Sequence, residues 1–202
     1  MRIVIDGNIG CGKSTLLRSL KDFYKEKSIT ILEENVVEWE PYLKEFYENM
    51  QENSLKFQMK VLEHHLYCGK ITSNSEKVIS IHERSPLSCI EIFGRDLLDS
   101  GFLKEIDIEL MKSYNIKLGW TPDIIIYLKS DTSTAANRCF KRSRVGEETI
   151  PIDYLDNISN RYNKLYNKNT SNKNGYPVFT INANNEKSDV LKEVCEIISK
   201  LF

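Results

Sequence analysis

The sequence predicts an α/β architecture: a five-stranded parallel sheet with helices on both faces. Three observations carry that prediction. Five short runs rich in Ile and Val recur along the chain, separated by longer stretches of helical period. The runs are nearly continuous in apolar residues rather than alternating, as parallel strands covered on both faces require. A glycine-rich segment stands between the first run and a helical pattern, which is the arrangement of a phosphate-binding loop.

The first run, residues 2–6 (RIVID), passes directly into glycine, as a strand feeding a tight loop should. The second, 29–33 (ITILE), and the third, 78–82 (VISIH), both end in charge, in Glu33-Glu34 and in His82-Glu83-Arg84-Ser85. The fourth, 123–128 (DIIIYL), and the fifth, 177–181 (PVFTI), complete the set. The polar stretch Asn167 to Asn174 reads as an exposed loop. In the last helical segment Val190, Leu191, Val194, Cys195, Ile198 and Leu201 make one apolar stripe suited to core packing. A helix around residues 54–71 carries a core stripe of Leu55, Met59, Leu62 and Leu66. Ligands of such sheets bind beyond the carboxyl ends of the strands, so the charges found there are the functional candidates.

A chain of 202 residues, 41% of them hydrophobic, fits one domain spanning 1–202 with a sizeable core. The formal net charge is −1 and the 28 basic residues are spread along the whole length, which argues against nucleic acid as a partner. Five cysteines (Cys11, Cys68, Cys89, Cys139 and Cys195), with no CxxC pair, read as reduced thiols of a cytoplasmic or other reducing compartment. No apolar stretch resembles a signal peptide or approaches membrane-spanning length, so no membrane partner is expected.

Gly7-Asn8-Ile9-Gly10-Cys11-Gly12-Lys13-Ser14 matches GxxxxGK[ST]. Gly7, Gly10 and Gly12 let the backbone turn tightly and aim its N–H groups at phosphate oxygens, and the helix that follows adds its positive end. Lys13 supplies a point charge to the β- and γ-phosphates, and the Ser14 hydroxyl is a Mg²⁺ ligand. The motif specifies a nucleoside triphosphate. It does not distinguish a switch, a transport ATPase or a small-molecule kinase.

On the acceptor side, Glu34 at a strand tip is placed to reach a hydroxyl, or it belongs to an exposed acidic turn. Glu83 could hold a metal's water shell and Arg84 could neutralise a transferring phosphoryl group; a surface ion pair is the other reading. In the helix at 54–71, Gln58, Val61 and His65 share a face distinct from the core stripe, and an amide there suits a flat heterocycle. Ser85, Cys89 and Phe93 follow at four-residue steps, ending in a ring able to stack on a base. Val61, Cys89 and Phe93 are equally readable as core. The adjacent His64 and His65 point to different sides of a helix and do not pair on a metal. His82 reads as structural or solvated. Arg138, Lys141, Arg142 and Arg144 precede a Gly146-containing loop, with Pro151 opening the next helix, as in a lid over triphosphate.

Together these segments resemble the deoxyribonucleoside kinase family, which includes deoxycytidine, deoxyguanosine and mitochondrial thymidine kinases. GNIGCGKST, ending in Thr15, is similar to the family's P-loop, and EENVVEW resembles its TEPVEKW segment. Glu83-Arg84-Ser85 matches its ERS motif, and Tyr47 and Phe57-Gln58 fall at matching spacing. The span from Arg138 to Tyr154 resembles its lid, and Thr180 to Asn184 its donor-adenine loop. Three departures stand out: Asn35 replaces the usual proline, Gly146 and Glu147 stand where two acidic residues are common, and the N-terminal arm is missing.

The resemblance implies a P-loop kinase fold with a short lid at about 138–150, using ATP and Mg²⁺ to phosphorylate the 5′-hydroxyl of a deoxyribonucleoside. It implies Glu34 on that hydroxyl, Trp39 beside the base, Tyr47 and Glu147 on the 3′-hydroxyl and Gln58 on the base. Arg138, Arg142 and Arg144 fall to the nucleotide, the last two on phosphates, and Asn182, Ala183 and Asn184 to the adenine. Family members favouring deoxycytidine and purines carry arginine and aspartate at the positions of His65 and Cys89. Their absence points to pyrimidines, thymidine first. A homodimer through helices near residues 85–117 is also implied. A thymidylate-type nucleotide kinase is the alternative, although Glu34 would repel a 5′-phosphate. A switch module would need no acceptor set at all.

Overall fold

The computed structural model describes residues 1–25, 29–73, 79–142, 150–166 and 175–201. Five strands, β1 (Arg2–Gly7), β2 (Ile29–Leu32), β3 (Ile79–Glu83), β4 (Ile124–Lys129) and β5 (Val178–Asn182), form one parallel sheet in the order β2-β3-β1-β4-β5. All five expected strands are present. Four of them end one residue later than their apolar runs, so Gly7, Glu83, Lys129 and Asn182 are paired rather than free. The chain leaves β1 toward β2 on one side, and later reaches β4 on the other. The crevice at the carboxyl end of β1 is therefore the topological switch point where such sheets bind ligands.

Alternation along the strands explains their unbroken apolar character. Ile3, Ile5, Ile126 and Leu128 face a layer built from α1 (Lys13–Phe23) and α9 (Lys187–Ser199), with Leu16, Leu17, Leu20, Val190, Val194 and Ile198 in one cluster. The α9 stripe is core, as its period predicts, with Leu191, Cys195 and Leu201 packed at its rim. Val4, Ile125 and Tyr127 face the opposite layer, against Ile158, Tyr162 and Tyr166 of α8 (Ile152–Tyr166). Each fully buried Ile or Leu contributes about 1.5–3 kcal/mol, so both layers hold the sheet. The charged end of β1, Asp6, falls on the α8 side with Val4 and is completely buried.

A third cluster joins α2 (Val36–Glu48), α3 (Met50–Ser73) and α6 (Glu105–Leu118) around Trp39, Leu62, Cys89 and Met111. Here one expectation is corrected. Of the α3 stripe, Leu62 alone is fully buried, while Leu55, Met59 and Leu66 are half-buried; Gln58, Val61 and His65 lie deeper. The helix packs inward on the face carrying the amide because that face lines a cavity.

After β3 the chain forms α4 (Pro86–Ser88), a π-helical segment (Cys89–Gly94) and α5 (Arg95–Asp99) without a break. The N–H of Arg95 reaches the carbonyl of Ile90, five residues back. Gly94 accommodates the wide turn, since a Cβ there would stand 3.2 Å from the Cys89 carbonyl oxygen. Ser85 is extended (φ −155°), so Ser85, Cys89 and Phe93 do not share one α-helical face as their spacing implied. Pro151 immediately precedes α8, whereas Arg144, Gly146, Glu147 and the polar stretch 167–174 lie outside the described residues. Among the described residues no helix is long and apolar enough to cross a membrane.

His82 on β3 is structural. Its ring packs on Trp120 at 4.4 Å and its Nε2 is 2.9 Å from the Ser80 hydroxyl. Burial, with help from Arg2 and His64, pushes its pKa down to about 3. An unfolded histidine takes its proton near pH 6.5, so between those values the unfolded chain binds the extra proton. Stability is thus fully present above about pH 6.5 and is lost as pH falls toward 3. In urea denaturation across this range, His82→Phe should flatten the slope by up to about 1.4 kcal/mol per pH unit.

Candidate active site

The P-loop turns where glycine alone fits. Gly10 has φ +77°, and a Cβ on it would stand 2.3 Å from the Ala135 carbonyl oxygen; one on Gly7 would stand 2.6 Å from that of Leu128. Lys13 bends back over the loop, its ammonium donating to the carbonyls of Gly7 (3.1 Å) and Asn8 (2.8 Å). The Asn8 side chain faces away from the crevice, donating to the Leu155 carbonyl (2.8 Å) and the Ser159 hydroxyl (2.7 Å). This asparagine ties the loop to α8 and does not itself line the cavity. Arg138, on α7 (Thr132–Arg142), donates from Nη1 to the carbonyls of Cys11 (3.2 Å) and Ala183 (2.9 Å), bracing the loop against the exit of β5.

Beside the loop the charges at the ends of β2 and β3 meet. Arg84 Nη1 donates to Glu34 Oε2 at 2.6 Å, with both side chains largely withdrawn from solvent. Burial works against the Arg84 charge, but Glu34 above all, then Tyr162, Asp6 and Glu83, outweigh it and hold the guanidinium protonated. Arg84 has φ +58°, a left-handed conformation uncommon for a side chain of this size and typical of functional sites. Glu83 Oε1 accepts from the Ser14 hydroxyl at 3.0 Å, and its Oε2 lies 3.4 Å from the Glu34 N–H. Burial and the neighbouring Glu34 raise the Glu83 carboxyl pKa, against the pull of Lys13, Arg84 and Ser14. A hydroxyl and a carboxylate are hard oxygen donors and fit Mg²⁺, which binds through one or two protein oxygens plus phosphates.

One cavity of about 990 Å³ connects the loop, from Ile9 to Thr15, with Glu34, Trp39, Tyr47, Gln58, Val61, His65, Glu83, Arg84, Cys89 and Phe93. Volumes near the top of the range for small-molecule sites leave room for two ligands end to end. At the acceptor end Gln58 is buried, and the Cys89 thiol donates to its Oε1 at 3.5 Å. Phe93 lies under the Arg84 guanidinium at 4.9 Å, so its ring serves the cation. The rings of His64 and His65 both meet Trp39 edge-on, at 5.3 and 6.5 Å. Burial, then the charges of His64, Arg84 and His82, lowers the His65 pKa well below its ordinary value. Its 3.8 Å approach to Glu34 is therefore a contact with a neutral ring. Among the described residues, His65 Nε2 and Trp39 Nε1 are both buried without a hydrogen-bond partner, and so are open to a ligand.

At the donor end Arg142 and Ala183 line the cavity. Asn182 instead shapes its own loop, its Oδ1 accepting the Asn184 N–H at 3.1 Å, while Asn184 Oδ1 ties that loop to the one after β4 by accepting the Asp131 N–H at 3.1 Å. Asn185 lines the space expected of them. Sequence reasoning also missed Tyr154, Leu43 and Phe46 on the walls, and the buried Asp6 beneath the loop. Asp6 had a signal, being the one charge in an otherwise apolar strand interior. Arg144 and Glu147 lie outside the described residues.

A triphosphate cradle and an acceptor chamber that share one cavity define a P-loop phosphotransferase; a nucleotide switch needs no second chamber. The model of the deoxynucleoside kinase family matches residues 3–201. A protein of Invertebrate iridescent virus 3 that carries a kinase name is 33% identical over 201 residues, covering 98% of this chain and 96% of its own. A protein of fowlpox virus named as a probable deoxycytidine kinase is 27% identical over 216 residues, covering 100% and 89%. A solved deoxyadenosine kinase from M. mycoides, with dCMP and a flexible dCDP bound, superposes with a TM-score of 0.84 at 25% identity, covering 99% of this chain and 100% of that one. The chain belongs to the deoxynucleoside kinase family. It is a kinase that phosphorylates deoxynucleosides.

Glu34→Gln keeps the shape of the side chain but cannot accept a proton. It should lower kcat by roughly 10²–10⁴ with little change in nucleoside KM, as a positioned general base would. Steady-state kinetics with the nucleoside varied will check this, and near-normal kcat would reduce Glu34 to a binding group.

Proposed function

We propose that the chain transfers the γ-phosphoryl group of ATP to the 5′-hydroxyl of a deoxyribonucleoside, with Mg²⁺, pyrimidines preferred and thymidine first. The observation that carries this reading is the Glu34–Arg84 pair at 2.6 Å, set in the same cavity as the Lys13 cradle. Glu34 accepts the hydroxyl proton as the O5′–Pγ bond forms and the bond from Pγ to the β-phosphate oxygen breaks, releasing ADP. The transition state is loose, so positioning and charge dominate. Lys13, Arg84, Arg142 and Arg144 supply positive charge. Ser14 and Glu83 would hold Mg²⁺, which when bound neutralises phosphate charge. In this reading Tyr47 and Glu147 hold the 3′-hydroxyl, and Trp39 with Gln58 the base.

The base preference rests on the absence of charge at two positions. Cys89 stays a thiol because burial raises its pKa, and His65 stays neutral. Gln58 then supplies paired hydrogen bonds, donating to O4 and accepting from N3–H of thymine. A nucleotide acceptor is disfavoured, since its 5′-phosphate would face Glu34 and Glu83 in a poorly solvated pocket. Phosphate transfer from ATP to each of the four deoxynucleosides and to thymidylate tests the whole reading. Thymidine should give the highest kcat/KM. Faster turnover of thymidylate would overturn the acceptor class, and a purine value above both pyrimidines would overturn the base preference.

A homodimer is part of the same proposal. Ile106, Leu110, Tyr114 and Leu118 stand at four-residue steps on α6, all exposed, while Ile108 and Met111 serve the core. A continuous apolar stripe on one helix suits burial against its own copy. Leu110→Glu should sediment as a monomer at concentrations where the unaltered chain is a dimer.

A further inference from the structure

Asp6 ends the interior of β1 and is completely buried, yet it takes no part in the cavity described above. Its carboxylate accepts four hydrogen bonds from three parts of the fold. Oδ1 takes the Gly7 N–H (2.9 Å) and the Tyr162 hydroxyl (2.7 Å). Oδ2 takes the Tyr166 hydroxyl (2.7 Å) and the Ser88 hydroxyl (2.5 Å). The first peptide of the P-loop, two tyrosines of α8 and the helix after the ERS segment therefore converge on one anion.

Among the described residues, Tyr162 and not Tyr166 also meets Arg84. Arg84 Nε donates to the Tyr162 hydroxyl at 3.4 Å. A phenol has one proton and two lone pairs. Because Asp6 takes the proton, Tyr162 can offer Arg84 only a lone pair, and the polarity of the contact is fixed. Arg84 Nη2 meanwhile donates to the Gly7 carbonyl at 3.4 Å, whose own N–H is held by Asp6. The same carboxylate thus reaches the guanidinium directly through the Tyr162 phenol, and less rigidly through Gly7, whose N–H and C=O belong to successive peptide groups. With Nη1 on Glu34, three edges of the guanidinium are fixed, leaving one N–H on each Nη for substrate.

We infer that Asp6 and Tyr162 form a positioning relay that sets the orientation of the Arg84 guanidinium between the P-loop and Glu34. The relay acts through Arg84 and touches no substrate. It rests on reading Arg84 as a charge at the transferring phosphoryl group. The left-handed Arg84 backbone, φ +58°, is itself held to β1 by its N–H, which donates to the Ile5 carbonyl at 3.0 Å.

Tyr162 and Tyr166 make equal hydrogen bonds to Asp6 and are both buried, so they form a matched pair for the test. Tyr162→Phe should lower kcat about 10- to 100-fold, the scale of a small misplacement of a catalytic group, with KM for ATP and nucleoside changed less than about threefold. Tyr166→Phe should leave kcat within about twofold, while the two thermal midpoints fall by similar amounts. The Arg84 Nε–H signal in ¹⁵N spectra gives a second measurement: slow solvent exchange in the unaltered chain and in Tyr166→Phe, lost in Tyr162→Phe. Equal loss of kcat in both variants, a Tyr162→Phe chain that fails to fold where Tyr166→Phe folds, or a fast-exchanging Arg84 Nε–H in the unaltered chain would each overturn the relay. Arg84→Lys run alongside separates the two readings. If it keeps full kcat, the role of Arg84 fails and the relay with it. If it is impaired while Tyr162→Phe is not, the relay alone fails.

Discussion

A guanidinium withdrawn from water is the constraint around which this site is built. Arg84 is 9% exposed, and an ion so placed carries a desolvation penalty of several kcal/mol unless its surroundings compensate. The compensation comes from separate places: Glu34 at the end of β2, the Gly7 carbonyl in the P-loop, Tyr162 on α8 and the Phe93 ring in the π-helical segment. Each must approach within contact distance, so the elements that carry them converge on one point. The cavity is what remains between those elements and α3. Removing one partner of such a pair typically costs about 3–5 kcal/mol, because the survivor stays buried and uncompensated.

The same constraint explains why the carboxylates are grouped as they are. Burial and the neighbouring Glu34 raise the cost of ionising Glu83, and Lys13 and Arg84 work against that cost. In the proposed reaction an incoming triphosphate would add negative charge there, and Ser14 and Glu83 would serve as oxygen donors to a divalent cation. Neutral groups, Gln58, Cys89 and Val61, line another wall of the same cavity, and in the proposed function recognition there rests on shape and hydrogen bonding.

Much of this was legible in the sequence, and the reasons are physical. Strands buried on both faces must be apolar throughout, so RIVID, VISIH and DIIIYL announce themselves. A phosphate cradle needs glycines at fixed positions and a lysine after them, and nothing else in the chain has that pattern. Orientation was harder to read. The period of α3 offers two faces, and hydrophobicity favoured Leu55, Met59 and Leu66 over the Gln58 and His65 face that is in fact buried deeper. Residues chosen for a cavity wall need not be apolar, and periodicity cannot rank them. Asn8, Asn182 and Asn184 do not line the cavity: Asn8 and Asn182 accept from neighbouring backbone N–H groups, while Asn8 Nδ2 reaches α8 and Asn184 Oδ1 reaches Asp131. Asp6 escaped notice because its use shows only when Ser88, Tyr162 and Tyr166, all distant in sequence, are brought together on its carboxylate beside the adjacent Gly7 N–H.

The π-helical segment Cys89–Gly94 illustrates what one surplus residue does to a helix. A regular α-helical turn would advance the chain by one fewer residue over this stretch, rotating everything beyond it by about 100°. Upstream, Cys89 is held against Gln58; downstream, Asp96 on α5 is held by Arg161 of α8 at 3.0 Å. With ordinary spacing only one of these attachments could be satisfied at a time. The segment therefore works as a phase adapter, reconciling a chamber wall and a scaffold whose angular demands disagree. Deleting a residue here would be a rotation as much as a shortening, so this helix can change sequence far more freely than it can change length.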